Sequence, residues 1–166
     1  MTRKEAVIMA GTGLGLRVVV GIDGSEPSYE ALRWAVRYAA VIGGHVDAVA
    51  AYDLPGGVGW SAPAVDADFD AAHARSKMRE ELRTVAREAR SDVRMEDRLV
   101  RGRPAEVLLA AAEGAEVLVV GSRGRGGFAG LTLGSVSQQC ARHAPCPVVI
   151  VRRGTGTGAD PAGEPA

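Results

Sequence analysis

Asparagine is absent from this chain, and lysine occurs only at Lys4 and Lys77. Without asparagine there is no acceptor for N-linked glycosylation. No apolar run approaches the ~20 residues that a membrane-spanning helix needs, so nothing calls for a membrane. Neither sign of charge dominates: 20 basic residues balance 20 acidic ones, which removes any global call for DNA, RNA or an anionic lipid surface. The Gly-x4-Gly-Lys-[Ser/Thr] signature of a fast phosphate-loop NTPase is missing as well.

What remains is ordinary for a globular protein, with 46% hydrophobic and 24% charged residues in a chain of 166. That length has room for one domain with a real core. The opening "MTRKEAVIMAGTGLGL" imitates a secretory signal, but Glu5 and its glycines interrupt the apolar stretch and no A-x-A-like site follows. Residues 1–15 are therefore expected to be a flexible leader, and the Pro/Gly-rich residues 153–166 a disordered tail. The domain is expected over 16–152, in a cytoplasmic protein.

Between those ends, strand and helix signals alternate. "LRVVVGID" (16–23) is a short apolar run read as a buried strand. Ser25 is placed to cap the helix that follows, and Gly43-Gly44 to stop it. "HVDAVAAYD" (45–53) reads as the second strand, and a long helix is expected at about 66–90, where Met78, Leu82, Val85, Ala86 and Ala89 recur at helical spacing. "DVRMEDRLV" alternates apolar and charged residues, the pattern of a half-exposed edge strand. Pro104 and Gly114 bracket a further helix. "EVLVV" (116–120) reads as a central strand, "SVSQQCARHA" as the last helix and "PVVIV" (147–151) as the fifth strand. Such alternation predicts an α/β fold: a single doubly wound parallel sheet with helices on both faces.

One segment stands out. "GSRGRGGFAGLTLGS" (121–135) holds six glycines and joins a central strand to a helix. In open parallel sheets, ligands bind beyond the carboxyl ends of the strands, where the winding reverses. Glycines let backbone N–H groups approach an anion, and a helix N-terminus adds its dipole. Arg123 and Arg125 supply charge-assisted donors. Ser135 could cap the helix or bond a phosphate. The alternative from spacing alone is a surface loop with Ser135 as an ordinary cap.

These residues resemble a family. Gly121-x2-Gly124-x9-Gly134-Ser135 matches, without a gap, the G-x2-G-x9-G-[ST] nucleotide-binding motif of the universal stress proteins. "VVVGIDGSEPS" is similar to that family's first strand and turn, and "CPVVIVR" to its last strand. The resemblance implies five strands in the Rossmann-like order 3-2-1-4-5 and an ATP site. Gly21, Ile22 and Asp23 would end the first strand, with Asp23 at the ribose or at a Mg²⁺-linked phosphate. Ala51 would lie by the adenine. Val120, Gly121, Arg123 and Gly124 would line ribose and phosphates, and Gly134, Ser135 and Val136 would complete the cradle. Ala51 is smaller than the branched residue usual there, which leaves room for another base or a cyclic nucleotide. The resemblance further implies a nucleotide-dependent regulatory module, with slow ATP hydrolysis as an alternative activity. It also implies a homodimer through the last strand (Val148–Val151), and that apolar edge invites pairing.

Other patterns carry less. "GTGLG" (11–15) precedes a strand instead of following one. Cys140-x2-His143-x2-Cys146 offers three metal-type ligands, too few to close a structural zinc site. Asp66, Asp68 and Asp70 begin like a calcium loop that Ala71 and Lys77 then fail to complete. Arg75, Arg79, Arg83 and Arg87 stripe one helix among glutamates, which predicts a solvated face and no nucleic acid.

Overall fold

A computed structural model of the chain describes residues 15–52, 71–89, 91–124 and 133–152. Strands and helices alternate: β1 Arg17–Gly21, α1 Glu26–Ile42, β2 His45–Tyr52, α2 Ala71–Ala89, β3 Met95–Arg101, α3 Pro104–Ala111, β4 Val117–Gly121, α4 Ser135–His143 and β5 Val148–Val151. Every neighbouring pair of strands runs parallel, in the order β3-β2-β1-β4-β5. This is the fold class that the alternation of elements predicts, in the strand order that the family resemblance implies. Residues 1–14 and 153–166, read above as leader and tail, lie outside the described residues, as do Asp66, Asp68 and Asp70.

Burial follows strand position. Val18, Val19 and Val20 of β1 and Leu118 and Val119 of β4 are fully buried, because helices cover both faces of the sheet centre. β3 and β5, at the two edges, stay half-buried along most of their length. Alternation sorts the strand side chains between two cores. Val18, Val20, Val46, Ala48 and Val119 meet Leu32, Ala35 and Val36 of α1 and Met78, Leu82 and Val85 of α2. Val19, Val49, Leu118 and Val120 meet Leu108 and Ala111 of α3 and Cys140 of α4. Each large apolar side chain so buried contributes about 1.5–3 kcal/mol.

Helix ends obey local chemistry. Ser25 takes an extended backbone and its Oγ accepts the Ser28 N–H at 3.4 Å, as its type predicts. Gly43 closes α1 in the left-handed region at φ 65°, where a side chain would be strained. At the amino ends of the strands, Asp47 is buried on β2 between Arg17 of β1, at 3.3 Å, and Arg98 of β3, at 2.9 Å. Removing both arginines would strand a buried charge, at a cost of about 3–5 kcal/mol. This end of the sheet is braced; the opposite end carries the loops.

Candidate functional site

β1 and β4 lie side by side, with Val20 paired to Val119, while their onward connections run to opposite sides of the sheet. The segments leaving their carboxyl ends therefore part around a crevice. On the β1 side, Ile22 N–H donates to the Val49 carbonyl at 2.9 Å, which carries the strand pairing one residue further. Asp23 comes next and Gly24 turns the chain at φ 76°. The Asp23 carboxylate does not swing freely: its Oδ1 accepts from Ser25 N at 2.9 Å and from Ser25 Oγ. Such a turn is what a short carboxylate side chain makes two residues before a helix cap.

On the β4 side, Ser122 is a junction. Its N–H donates to Val151 O of β5 at 2.7 Å, and its carbonyl accepts from Gly134 N at 2.8 Å. The second bond pins together the two ends of the glycine segment. α4 is fixed against the same strand end, because Ser137 Oγ donates to Gly121 O at 2.7 Å. Gln138 Nε2 adds a bond to Leu133 O at 3.1 Å. The N–H groups of the first turn of α4, which have no acceptor inside the helix, are thereby held at the crevice.

The two sides meet at Gly124. A β-carbon on Gly124 would collide with Oδ2 of Asp23. Gly134 closes the group: a β-carbon there would stand 3.5 Å from Arg123 Cα and 3.7 Å from Gly124 N. Asp23, Arg123, Gly124, Gly134 and Ser135 thus frame one opening, with Arg123, Gly124 and Ser135 exposed.

The other expected positions lie deeper or serve packing. A β-carbon on Gly121 would stand 2.7 Å from the Pro27 carbonyl carbon and 2.8 Å from its oxygen, so this glycine admits the first turn of α1. One on Gly21 would stand 2.9 Å from Leu108 of α3. Ile22 belongs to the core beneath α1 and α2, and Val120 to that beneath α3 and α4. Val136 packs half-buried on the second core, and Ala51 is buried near the end of β2, opposite Val100. Arg125 lies outside the described residues.

Ser135 is not the cap of α4. Gly134 holds that place, at φ −72° and ψ 160°, and no side chain bonds the helix end. Its carbonyl accepts the Gln138 N–H at 3.0 Å, so the helix already begins there and Ser135 is its first residue. Sequence reasoning missed three participants: Ser122, Ser137 and the Asp23–Ser25 bond. The S-x-S spacing in "GSVS" was the available signal for Ser137, since a serine on the inner face of a helix seeks a carbonyl.

Nucleophilic chemistry has little support here. Cys140 and Cys146 are both free thiols. Burial beneath the helix pushes Cys140 up to about 11, and burial also raises Cys146, so both are protonated at neutral pH. Among the described residues no group of three or more His, Cys, Asp or Glu side chains is arranged to hold a metal. No described helix is long and apolar enough to cross a membrane.

Residues 16–152 match the sequence profile of the universal stress protein family. A universal stress protein of Mycolicibacterium smegmatis is 38% identical over 144 residues, covering 82% of this chain and 46% of the relative. The chain thus spans about half the length of that relative. A universal stress protein of Thermus aquaticus is 36% identical over 139 residues, covering 81% of this chain and 97% of the relative. Among solved structures, a universal stress protein in complex with cAMP superposes with a TM-score of 0.64 at 28% identity, over 86% of this chain and all of that one.

Proposed function

The chain belongs to the universal stress protein family, and from that premise we propose that it is a cytoplasmic stress-response protein that binds an adenine nucleotide, ATP foremost. The observation that carries this reading is the meeting of Gly124 with the anchored Asp23 carboxylate beside the N-terminus of α4. The Gly124 backbone meets that carboxylate with no room for a β-carbon, and a bare backbone at this place lets N–H groups approach phosphates. Arg123, Gly124, Gly134, Ser135 and Val136 serve the phosphates, and Gly121 ends the strand beneath them, where it admits the first turn of α1. Asp23 serves the ribose hydroxyls or a phosphate-bound Mg²⁺, and Gly21, Ile22 and Val120 form the floor. Ala51 borders the adenine. ATP fits this donor set. Mg²⁺ fits only as a guest of the phosphates, since it binds through one or two carboxylates plus phosphate oxygens and Asp23 offers one.

The role is regulatory more than catalytic. The chain has no phosphate-loop lysine, and Asp23 is occupied in ordering its own turn. Ser122 bonds both Gly134 and Val151, so the glycine segment and the edge strand β5 share one residue. Through it, nucleotide occupancy biases a homodimer interface, or one with a protein partner, along Val148–Val151. Cyclic AMP is the second candidate ligand: a relative of 28% identity is described in complex with it, and the small Ala51 leaves space beside the base.

Calorimetric titration of ATP and of cAMP tests the reading. Losing a hydrogen bond to a charged group costs about 1.5–3 kcal/mol, so Asp23→Ala should lower ATP affinity roughly 10- to 150-fold. Gly124→Val, which displaces the carboxylate and fills the cradle, should do at least as much. Absence of binding by the wild type, or unchanged affinity in both folded variants, would end the proposal.

A further inference from the structure

β5 alone is too small to hold two copies of the chain together. It has four residues, each already half-buried. A stable interface takes about 20–30 residues and about 800 Å² from each partner. A dimer built on this edge must therefore extend over a neighbouring surface. On one face of the sheet the neighbour is α4, which shows Gln139, Arg142 and His143 to solvent. On the other face the neighbour is α1, and there the surface is apolar.

The two flanks of α1 differ in kind. On one, Arg33 reaches Glu88 of α2 at 3.2 Å. The other carries Trp34 and Tyr38, one turn apart, whose rings stack with centroids 5.0 Å apart and planes 17° from parallel. Both are half-buried and pack on the first core, as do Val149 and Val151 of β5. Val41 continues the row and is 85% exposed. α2 lies on the Arg33 side, and α3 and α4 pack on the second core, so no described helix stands beyond the aromatic pair. The pair is also level with the strand edge. Pro27 meets Gly121 at the end of β4, and α1 runs back antiparallel to that strand. Seven residues along the helix, like three along the strand, cover about 10 Å. Trp34 thus comes abreast of Leu118, whose neighbour across the ladder is Val148 of β5.

We infer that the Trp34–Tyr38 flank of α1 is the second half of a dimer interface, and that the same flank of a second copy covers it. The inference rests on the homodimer along Val148–Val151 proposed above. Two antiparallel edge strands are related by a two-fold axis perpendicular to the sheet. Both copies of α1 then lie on the same face, with their aromatic flanks turned towards each other. α1 stands over β1 and β4, so the two helices are three to four strand spacings apart, about 14–19 Å. Directly packed helices stand about 8–10 Å apart. Large side chains fill the difference, and tryptophan and tyrosine carry much of the binding energy at such contacts.

Sedimentation equilibrium of the full chain measures the dimer dissociation constant. Trp34→Gln should raise it about 30-fold or more, the loss of one hot-spot side chain, with circular dichroism unchanged. Gln139→Glu, exposed on the opposite face, should leave it as it is. Isotope-filtered NOEs in a dimer of labelled and unlabelled wild-type copies read the contact without any substitution. They should join the Trp34 indole of one copy to the Trp34 or Tyr38 ring of the other. A wild-type dimer that lacks those NOEs, or that Trp34→Gln leaves intact, would overturn the inference while the strand-edge dimer stands. Loss in Gln139→Glu instead would move the contact to the α4 face and overturn it too. A wild type that stays monomeric at every concentration would remove the homodimer itself, and this inference with it.

Discussion

Two glycines of one motif do different work. Gly121 faces the Pro27 carbonyl, which is backbone in the first turn of a helix and has nowhere to retreat. Gly124 faces a side-chain carboxylate at the protein surface. Gly121→Ala should therefore destabilise the fold by about 1–3 kcal/mol, the usual cost of overpacking. Gly124→Ala should change stability by no more than about 0.5 kcal/mol while weakening ATP. Urea midpoints of the two variants measure the contrast, and equal midpoints would refute the division of labour. The family resemblance placed both glycines alike along the ribose and phosphates. It could not separate them, because Pro27 lies on another element and its approach depends on how α1 crosses β4. Of the two roles open to Ser135, the cap falls instead to Gly134, because a glycine whose backbone is already extended can start a helix without any side-chain acceptor.

At the scale of elements, β5 carries the clearest consequence. Pro147 O and Val151 O accept from Leu118 N and Ser122 N, so the backbone groups of alternate residues face β4. By the same alternation the N–H and C=O groups of Val148 and Ile150 point to the unpaired edge. Proline is tolerated in a strand where its missing N–H faces outward. Ile150→Pro should thus leave the ladder to β4 standing and remove a donor that a second copy would use. Sedimentation should show a monomer for a variant whose circular dichroism is unchanged. A persistent dimer would refute the strand-edge interface. The elements themselves were legible, since apolar runs and turn residues mark them locally. The pairing of α2 with β3 was not: helical spacing aligned Arg75, Arg79 and Arg83 on one exposed face, but only the placement of β3 brings Asp97 within 2.9 Å of Arg79.

For the whole molecule, the strand order turns local signals into a site. β1 and β4 are separated in sequence by two other strands, yet their ends adjoin, which brings Asp23 to Gly124. The topology was readable from the alternation of elements and the family resemblance together. The junction at Ser122 and the anchor at Ser137 were not, because each depends on hydrogen bonds between elements distant in sequence. The central claim is that an adenine nucleotide occupies this crevice. Amide NMR of the isotopically labelled protein titrated with ATP tests it most directly. The account predicts saturable shifts at Gly21–Asp23, Ala51, Val120–Gly124 and Gly134–Val136, with the amides around Asp47 at the far end of the sheet unmoved. A spectrum without saturable shifts at those positions would contradict it.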